Sequence, residues 1–415
     1  MRILMVAQFY APVVGGEERM VEELARALTA RGHDVAVATL RSDGLPDTEE
    51  QDGVRIHRLP GLAARLPLLF SDAGRRHAPP APDPETVRAL GQVVRAERPD
   101  VVHGHNWLAH AYLPLRSRTA AAYVLSLHDY SLVCATKRLV RLGEPCSGPG
   151  AVKCVRCASA QYGPVVGPPT AALTRVMGQA QRRAADAFLP VSDAVAQACG
   201  LPGGRTPWEV IPNFVADDLL AAADPADPAL EALPDGDFLL FAGDVVADKG
   251  VGVLLEAHAG LRNAPPLVLA GRPVDPALAA PRPGVIQLGA LPRGALLAAW
   301  SRCTVAVAPS LTPESFGLVA LEAMTAGRPV VAARSGGLPD VVADTGVIVP
   351  PGDVPALRAA LAALLADPAR RTALGAAAAR RAFTFTASRV IPRVEAAYEQ
   401  ALDHARGRRH APVAA

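Results

Sequence analysis

Aromatic side chains make up only 4% of this 415-residue sequence, so its cores must be assembled mainly from Ala, Val and Leu. No apolar run approaches the roughly 20 residues needed to cross a bilayer. The N-terminal run Met1 to Ala7 is also too brief for the core of a signal peptide. A cytosolic protein with reduced cysteines is the expectation. Charge of one sign is missing too: 42 basic against 40 acidic residues leave a formal net charge of +2, no field with which to gather nucleic acid. Self-similarity at a period of roughly 20 to 50 residues is absent, which argues against a solenoid. The first strand is not followed by Gly-x-Gly-x-x-Gly, and Val35 to Leu40 ends without the acidic residue that would bind an NAD ribose, so an NAD dehydrogenase is disfavoured.

Half of the residues are hydrophobic, and the chain is too long for one ordinary core of roughly 100 to 200 residues. Arg2 to Ala7 reads as a buried strand, and Met20, Val21, Leu24, Ala27 and Leu28 recur at helical spacing before Gly32 stops the helix. Further strand-like runs are Val35 to Leu40, Val54 to Leu59, Val101 to His105, Tyr123 to His128, Ala187 to Ser192 and Glu209 to Pro212. A Pro- and Asp-rich stretch, Asp217 to Asp235, separates these from a second series: Phe238 to Gly243, Leu267 to Gly271, Val285 to Gly289, Val305 to Pro309, Val330 to Ala333 and Gly346 to Val349. Strands alternating with helices predict an α/β protein of two doubly wound, Rossmann-like domains, residues 1–212 and 213–386, with a ligand between them. A last helix, about 387–415, is expected to pack back on the first domain, and Arg406 to Arg409 to form a solvated tail.

The most specific stretch is Pro309-Ser310-Leu311-Thr312-Pro313-Glu314-Ser315-Phe316-Gly317-Leu318-Val319-Ala320-Leu321-Glu322. A strand ends at Pro309, a loop carries Glu314, and a helix is predicted to start near Ser315 or Phe316. Its first-turn N–H groups would suit phosphate or sugar oxygens. Glu322 would lie about two turns in, able to accept hydrogen bonds from vicinal hydroxyls. Gly15-Gly16 ahead of the first helix is a weaker phosphate-binding signal. His103-Gly104-His105-Asn106 and Leu127-His128-Asp129-Tyr130 each follow a strand, and buried structural histidines are the competing reading of both.

The Glu314-x7-Glu322 pattern, with Glu-Ser-Phe-Gly-Leu-Val, Gly327-Arg328-Pro329 and Gly336-Gly337-Leu338-Pro339-Asp340, resembles glycosyltransferase family 4, and the similarity runs from Met1 to about Asp353. The resemblance implies a GT-B fold and a retaining transfer from a UDP-, GDP- or dTDP-linked sugar to a hydroxyl acceptor, with no cofactor required. Glu314 would hold donor-sugar hydroxyls, the amides of Ser315, Phe316, Gly317, Leu318 and Val319 the sugar and phosphate, and Glu322 the ribose. Lys249 and the Gly15-Gly16 loop would hold the diphosphate, His128 would sit beside the reacting sugar, and His105 and Asp129 would lie on the acceptor side. Where the family usually has Gly-Arg before Lys-Gly, this sequence has Gly243-Asp244, so another base, Arg334 or Arg272, is needed to replace the missing cation. Inversion would need a general base, for which Asp129 or Asp340 are the candidates. A sugar-nucleotide 2-epimerase, a phosphorylase and a non-catalytic sugar-nucleotide binder are the rival readings.

Cys134, Cys146, Cys154 and Cys157 fall in a stretch predicted to be loop-rich. A structural four-thiolate zinc site is one reading; free thiols, an iron–sulfur cluster and disulfides stay open. Asp235-Gly236-Asp237 reads as a turn and not as a metal-binding Asp-x-Asp. Leu62 to Phe70, followed by Arg75, Arg76 and His77, raises peripheral membrane contact, against the alternative of a mobile acceptor-side loop. The Ala, Pro and Arg bias suggests a high-GC bacterial genome, which fits envelope polysaccharide, glycolipid or natural-product glycosylation.

Overall fold

The computed structural model describes residues 1–12, 15–62, 77–141 and 143–410, with the side chains of 409 and 410 left aside. The stretch 63–76, which holds most of the membrane-contact motif, lies outside the described residues. Two compact units are present: Met1–Leu142, Cys146–Pro212 and Ile391–Ala415 form one, and Asn213–Val390 with Gly143–Pro145 the other.

The first unit is built on β1 (Arg2–Ala7), β2 (Asp34–Leu40), β3 (Thr48–Gln51), β4 (Val54–Leu59), β5 (Val101–His105), β6 (Ala122–Leu127) and β7 (Ala187–Pro190). Their order is β3-β4-β2-β1-β5-β6-β7. All pairs are parallel except β3 with β4. Helices α1 (Gly16–Ala30), α2 (Pro84–Glu97) and α3 (Ala151–Ala184) lie between them, and α4 (Asp193–Ala198) follows β7. β1 and β5 are buried almost throughout, as strands covered on both faces must be. Strand β3, sequence TEEQ, is mostly exposed; with no apolar alternation, only its pairing makes it a strand.

The second unit holds β8 (Leu239–Ala242), β9 (Leu267–Ala270), β10 (Val285–Gly289), β11 (Val305–Ala308), β12 (Val330–Ala333) and β13 (Val347–Val349). All its strand pairs are parallel, in the order β10-β9-β8-β11-β12-β13. Helices α5 (Val251–Ala259), α6 (Arg293–Arg302), α7 (Leu318–Thr325), α8 (Leu338–Val342), α9 (Val354–Ala366) and α10 (Pro368–Ala382) alternate with them, and α11 (Ala387–His410) follows. One core joins Leu239, Phe241, Val251, Leu254, Val305 and Leu361.

Counted from its own first strand, this order is 3-2-1-4-5-6, whose switch point lies between β8 and β11. Ligands of open α/β sheets bind beyond the carboxyl ends of the strands at that point. In the first unit the switch lies between β1 and β5. Four loops are therefore singled out before any chemistry is considered: those after Ala7, His105, Ala242 and Ala308.

Three expectations need correction. Glu209 to Pro212 is not a strand; only an isolated bridge, Phe188 to Trp208, forms there. Cys154 and Cys157 lie on α3 and not in a loop. Helix α7 begins at Leu318 and not at Ser315 or Phe316, because Gly317 before it takes φ +108°; Glu322 is consequently just over one turn into the helix.

Candidate active site

In the second unit, Lys249 and Glu314 come from the two loops that the switch point selects. Lys249 ends a single 3-10 turn after β8, and Gly250 follows at φ +73°. A Cβ on Gly250 would lie 2.0 Å from the Pro309 carbonyl oxygen, so only glycine lets this turn lie against the end of β11. Backbone bonds fix the approach: the Leu311 N–H donates to the Asp248 carbonyl at 3.0 Å. Lys249 Nζ then reaches Glu314 Oε1 at 2.5 Å, and Ser310 Oγ donates to the same oxygen at 2.7 Å. Burial works to raise the pKa of Glu314, but the Lys249 charge and these two hydrogen bonds outweigh it, holding the carboxyl below its ordinary range.

The Glu314 backbone is clamped as well. Its carbonyl accepts from Gly337 N–H at 2.7 Å, and Gly336, at φ +56°, lies so close that a Cβ would sit 1.9 Å from that oxygen. Gly327 has a similar positive φ, +67°, but its Cβ would meet nothing nearer than 3.9 Å. Both glycine-to-alanine changes carry the backbone strain, of order 1 kcal/mol, and only the first displaces Glu314. We expect Gly336→Ala to lower kcat/KM at least tenfold while Gly327→Ala leaves it within about twofold; steady-state kinetics on both variants checks this.

No side chain caps α7. Leu321 N–H makes the first intrahelical bond, 3.2 Å to the Gly317 carbonyl; the amides of Leu318, Val319 and Ala320 come before it and have no intrahelical partner. Phe316 is buried against Phe385, ring centroids 5.8 Å apart, and so pins the loop from which Ser315 and Gly317 project. Glu322 is buried on α7. Asp244 holds Arg272 in a two-pronged ion pair, 2.9 Å to Nε and 2.7 Å to Nη2. A guanidinium thus stands beside the position where a carboxylate replaces the family's arginine. Arg334 is exposed after β12, its N–H donating to Val349.

In the first unit, Gly15 precedes α1 as an extended residue and Gly16 opens the helix. Val13 and Val14 lie outside the described residues. Glu17, half-buried in the first turn of α1, carries a carboxyl that burial and the Asp129 charge push up to about 8, against the opposing pull of Lys137 and the hydrogen bond that it accepts from Asn106. Asn106 takes a positive φ of 57° at the end of β5, and its side-chain nitrogen donates to Glu17. A neutral Glu17 removes one negative charge from a helix end that would otherwise repel a phosphate.

Because the folded pKa of Glu17 exceeds an ordinary carboxylate value, the folded state keeps a proton that the unfolded chain releases. Stability therefore falls as pH rises from about 4.3 towards about 8. Glu17→Gln should show a higher Tm than the parent at pH 9 and a much smaller difference at pH 5, measured by thermal melts across that range.

Three histidines meet at the ends of β5 and β6. His103 Nδ1 lies 2.7 Å from the Tyr398 hydroxyl and its Nε2 2.8 Å from Ser126 Oγ. His105 Nδ1 lies 2.9 Å from His128 Nε2. Burial lowers the pKa of His103 to about 3 and that of His105 well below its usual value, so both are neutral. His105 Nε2 is buried with no hydrogen-bond partner. Across the His105–His128 contact one ring nitrogen donates and the other accepts. Asp129 closes a turn, accepting from Ser131 N–H at 2.7 Å.

The four clustered cysteines are free thiols, all half-buried. Cys154 Sγ accepts from Gly150 N–H at 3.3 Å, Cys146 Sγ donates to the Gly148 carbonyl at 3.4 Å, and Cys157 Sγ to the Val140 carbonyl at 3.5 Å. Burial, reinforced by Cys134, Cys146 and Cys154, raises the pKa of Cys157. Among the described residues no group of three or more His, Cys, Asp and Glu side chains is arranged to hold a metal ion.

Comparison with known proteins decides what these parts belong to. Residues 15–213 match the glycosyl transferase 4-like domain, and residues 236–367 match glycosyl transferases group 1. D-inositol 3-phosphate glycosyltransferase from Kineococcus radiotolerans is 32% identical, the match covering 89% of this chain and 87% of that protein. The chain belongs to the family 4-like glycosyltransferases. Glycogen synthase from Mycobacterium tuberculosis, also a relative of this glycosyltransferase, is 31% identical over 92% of the chain and 90% of its own length. Among solved structures, sucrose-phosphate synthase from Thermosynechococcus elongatus has a TM-score of 0.73 at 23% identity, covering 96% of this chain and 98% of its own. Anabaena HepE in complex with UDP and glucose has a TM-score of 0.67 at 19% identity, covering 96% and 99%. These two show the fold, which is GT-B with a parallel-sheet α/β domain in each unit.

Reading the sequence for motifs missed Ser310, Asn106, Glu17 and Tyr398. Ser310 was in plain view inside the Glu314 motif. Asn106, directly after a strand at a switch point, carried a usable signal, because asparagine is among the few residues that tolerate a positive φ. Tyr398 lies nearly three hundred positions from His103 and had none.

Proposed function

We propose that this glycosyltransferase transfers a sugar, with retention of anomeric configuration, from a nucleoside-diphosphate donor to a hydroxyl acceptor. The observation that carries the reading is the Lys249–Glu314 pair, set at the switch point of the second sheet next to a helix tip that no side chain caps. A cation, a run of amides and a carboxylate in one place match a ligand with phosphates beside hydroxyls. The solved relative with UDP and glucose bound supports a donor of this class.

In this reading Glu314 accepts hydrogen bonds from donor-sugar hydroxyls, Glu322 from the ribose, and Lys249 with the amides of Leu318 and Val319 faces the diphosphate. The bond from the anomeric carbon to the diphosphate oxygen breaks, and the acceptor oxygen bonds to that carbon on the same face. The departing oxygen takes the acceptor's proton, so no separate carboxylate nucleophile is required. Charge that develops on the diphosphate meets donors already in place, which is where such sites gain most of their rate. His128, held by His105, orients the sugar; Gly15 and Gly16 add amides, and Asp129 belongs to the acceptor side.

Product analysis tests the proposal: the protein is incubated with UDP-, GDP- and dTDP-sugars, with and without inositol phosphate or glucan acceptors, and products are read by proton NMR. An α-linked product from an α-linked donor is expected. A β-linked product would mean inversion, an epimerised nucleotide sugar formed without acceptor would mean an epimerase, and neither transfer nor donor hydrolysis would leave a binding protein.

A further inference from the structure

Helix α3 has its sides reversed for a helix packed on a folded unit. The helix is interrupted at Gly163, φ +82°, and resumes at Pro164. From there to Ala184 the residues turned inward are Gly167, Thr170, Ala171, Thr174, Gly178 and Gln181. Two of these are glycines because backbone lies against them: a Cβ on Gly167 would be 2.4 Å from Ser159 N, and one on Gly178 2.3 Å from the Leu132 carbonyl oxygen. Thr170 and Thr174 satisfy their hydroxyls on their own helix, at 2.7 and 2.8 Å. Three large apolar residues face solvent instead. Val165 is 82% exposed, Val176 56% and Leu173 36%, and with exposed Pro169 and Ala172 they form one stripe at helical spacing. Val152 and Val155, before the interruption, are exposed as well, so five of the nine exposed large apolar side chains among the described residues lie on this one helix.

Charge on the same element has one sign. Between Ala151 and Ala184 there are five basic residues, Lys153, Arg156, Arg175, Arg182 and Arg183, and no Asp or Glu. Arg156, Arg175 and Arg183 are exposed. A cavity of about 470 Å³ runs along the helix, and its lining again combines apolar side chains, Leu132, Val133 and Ala171, with Arg175 and Arg182. No helix among the described residues is long and apolar enough to cross a membrane, so the stripe is suited to lying on a surface.

We propose that the exposed face of α3 docks the protein on an anionic bilayer, with Val165, Leu173 and Val176 entering the headgroup boundary and Arg156, Arg175 and Arg183 facing lipid phosphates. Apolar contact and positive charge on one helix face are the two contributions by which such helices bind membranes. A copy of this chain would bring the same arginines against each other across a shared apolar stripe, and charge complementarity therefore favours lipid. The inference stands on a different surface from the sugar-nucleotide site and does not depend on that reading.

Co-sedimentation of the full chain with vesicles of phosphatidylcholine, with and without 30% phosphatidylglycerol by design, tests it. Binding to the anionic vesicles alone, weakened by raised salt, is expected. The triple variant Val165→Ser, Leu173→Ser, Val176→Ser should bind at least tenfold more weakly while still melting cooperatively, because Val165 and Val176 are mostly exposed and Leu173 partly so. Should that variant misfold, Arg175→Gln with Arg183→Gln should still reduce binding at least threefold. A parent protein that stays in the supernatant, or variants that bind like the parent, would overturn the proposal. So would analytical ultracentrifugation showing a parent dimer that the triple serine variant breaks, which would assign the face to a second copy.

Discussion

Glu314→Gln lowers kcat/KM for transfer by about 10²- to 10³-fold. Glutamine keeps the size of the side chain and one accepting oxygen, but it loses the charge that Lys249 and Ser310 hold in place. Hydrogen bonds to a charged group contribute about 1.5–3 kcal/mol each, against roughly 1 kcal/mol for neutral ones. If two sugar hydroxyls donate to Glu314, the loss amounts to about 1–4 kcal/mol, and the stated range of rate is the upper part of it. The change also leaves the Lys249 ammonium without its counter-charge. Kinetics at saturating acceptor should show the loss in both parameters, a raised KM for the donor because the carboxylate bonds the sugar on binding, and a lowered kcat because that sugar changes shape in the transition state.

Lys249→Met has the second large effect, and it differs in kind. Methionine preserves the stem of the side chain and removes the cation that faces both Glu314 and the proposed diphosphate. A loss of about 10²-fold or more in kcat/KM follows from withdrawing one electrostatic donor from a developing oxyanion. A pH signature should come with it. In the parent, Glu314 is held below the ordinary carboxylate range, so it stays ionised as pH falls and the stability it contributes is lost only at acid pH, through that lowered folded value. Without Lys249, burial is no longer outweighed, the Glu314 pKa rises, and the acid limb of the rate profile moves towards neutral pH. Profiles of kcat/KM between about pH 5 and 9 for the two proteins would show this displacement; superimposable limbs would mean that Lys249 does not govern Glu314.

The parts of this fold that could be read in the sequence are those where local pattern and tertiary role coincide. Runs such as ILMVA at β1 and VAVA at β11 are buried on both faces, so they appear as unbroken apolar stretches. The Glu314 motif was legible for the same reason: its residues are contiguous. Lys249 was found through the family resemblance, but its pairing with Glu314 depends on Gly250 lying against Pro309, and a glycine in a sequence does not say what it approaches. The start of α7 was misplaced because Gly317 adopts φ +108° and holds Ser315 and Phe316 out of the helix. Helix α3 was hidden by Gly163, Pro164, Pro168 and Pro169, which ordinarily mark loops; the break at Gly163 puts Pro164 at the first position of the restarted helix, and Pro168 and Pro169 lie inside it. The state of Glu17 was out of reach, since it is set first by burial and then by the charge of Asp129, which is far away in sequence.

The direct test of the central claim, that Glu314 grips the sugar while Lys249 and the tip of α7 hold the phosphates, is thermal stabilisation by donor and by its sugar-free fragment. UDP-, GDP- and dTDP-sugars are screened on the parent, and the donor that raises Tm most is compared with the matching nucleoside diphosphate on the parent and on Glu314→Gln. A ligand at about 100 times its dissociation constant adds about 2.7 kcal/mol of stability, which a melt resolves readily. The account predicts that the variant loses the extra shift due to the sugar and keeps most of the shift due to the nucleoside diphosphate. Equal shifts for the nucleotide sugar on parent and variant, or no shift on the parent with any donor, would contradict it.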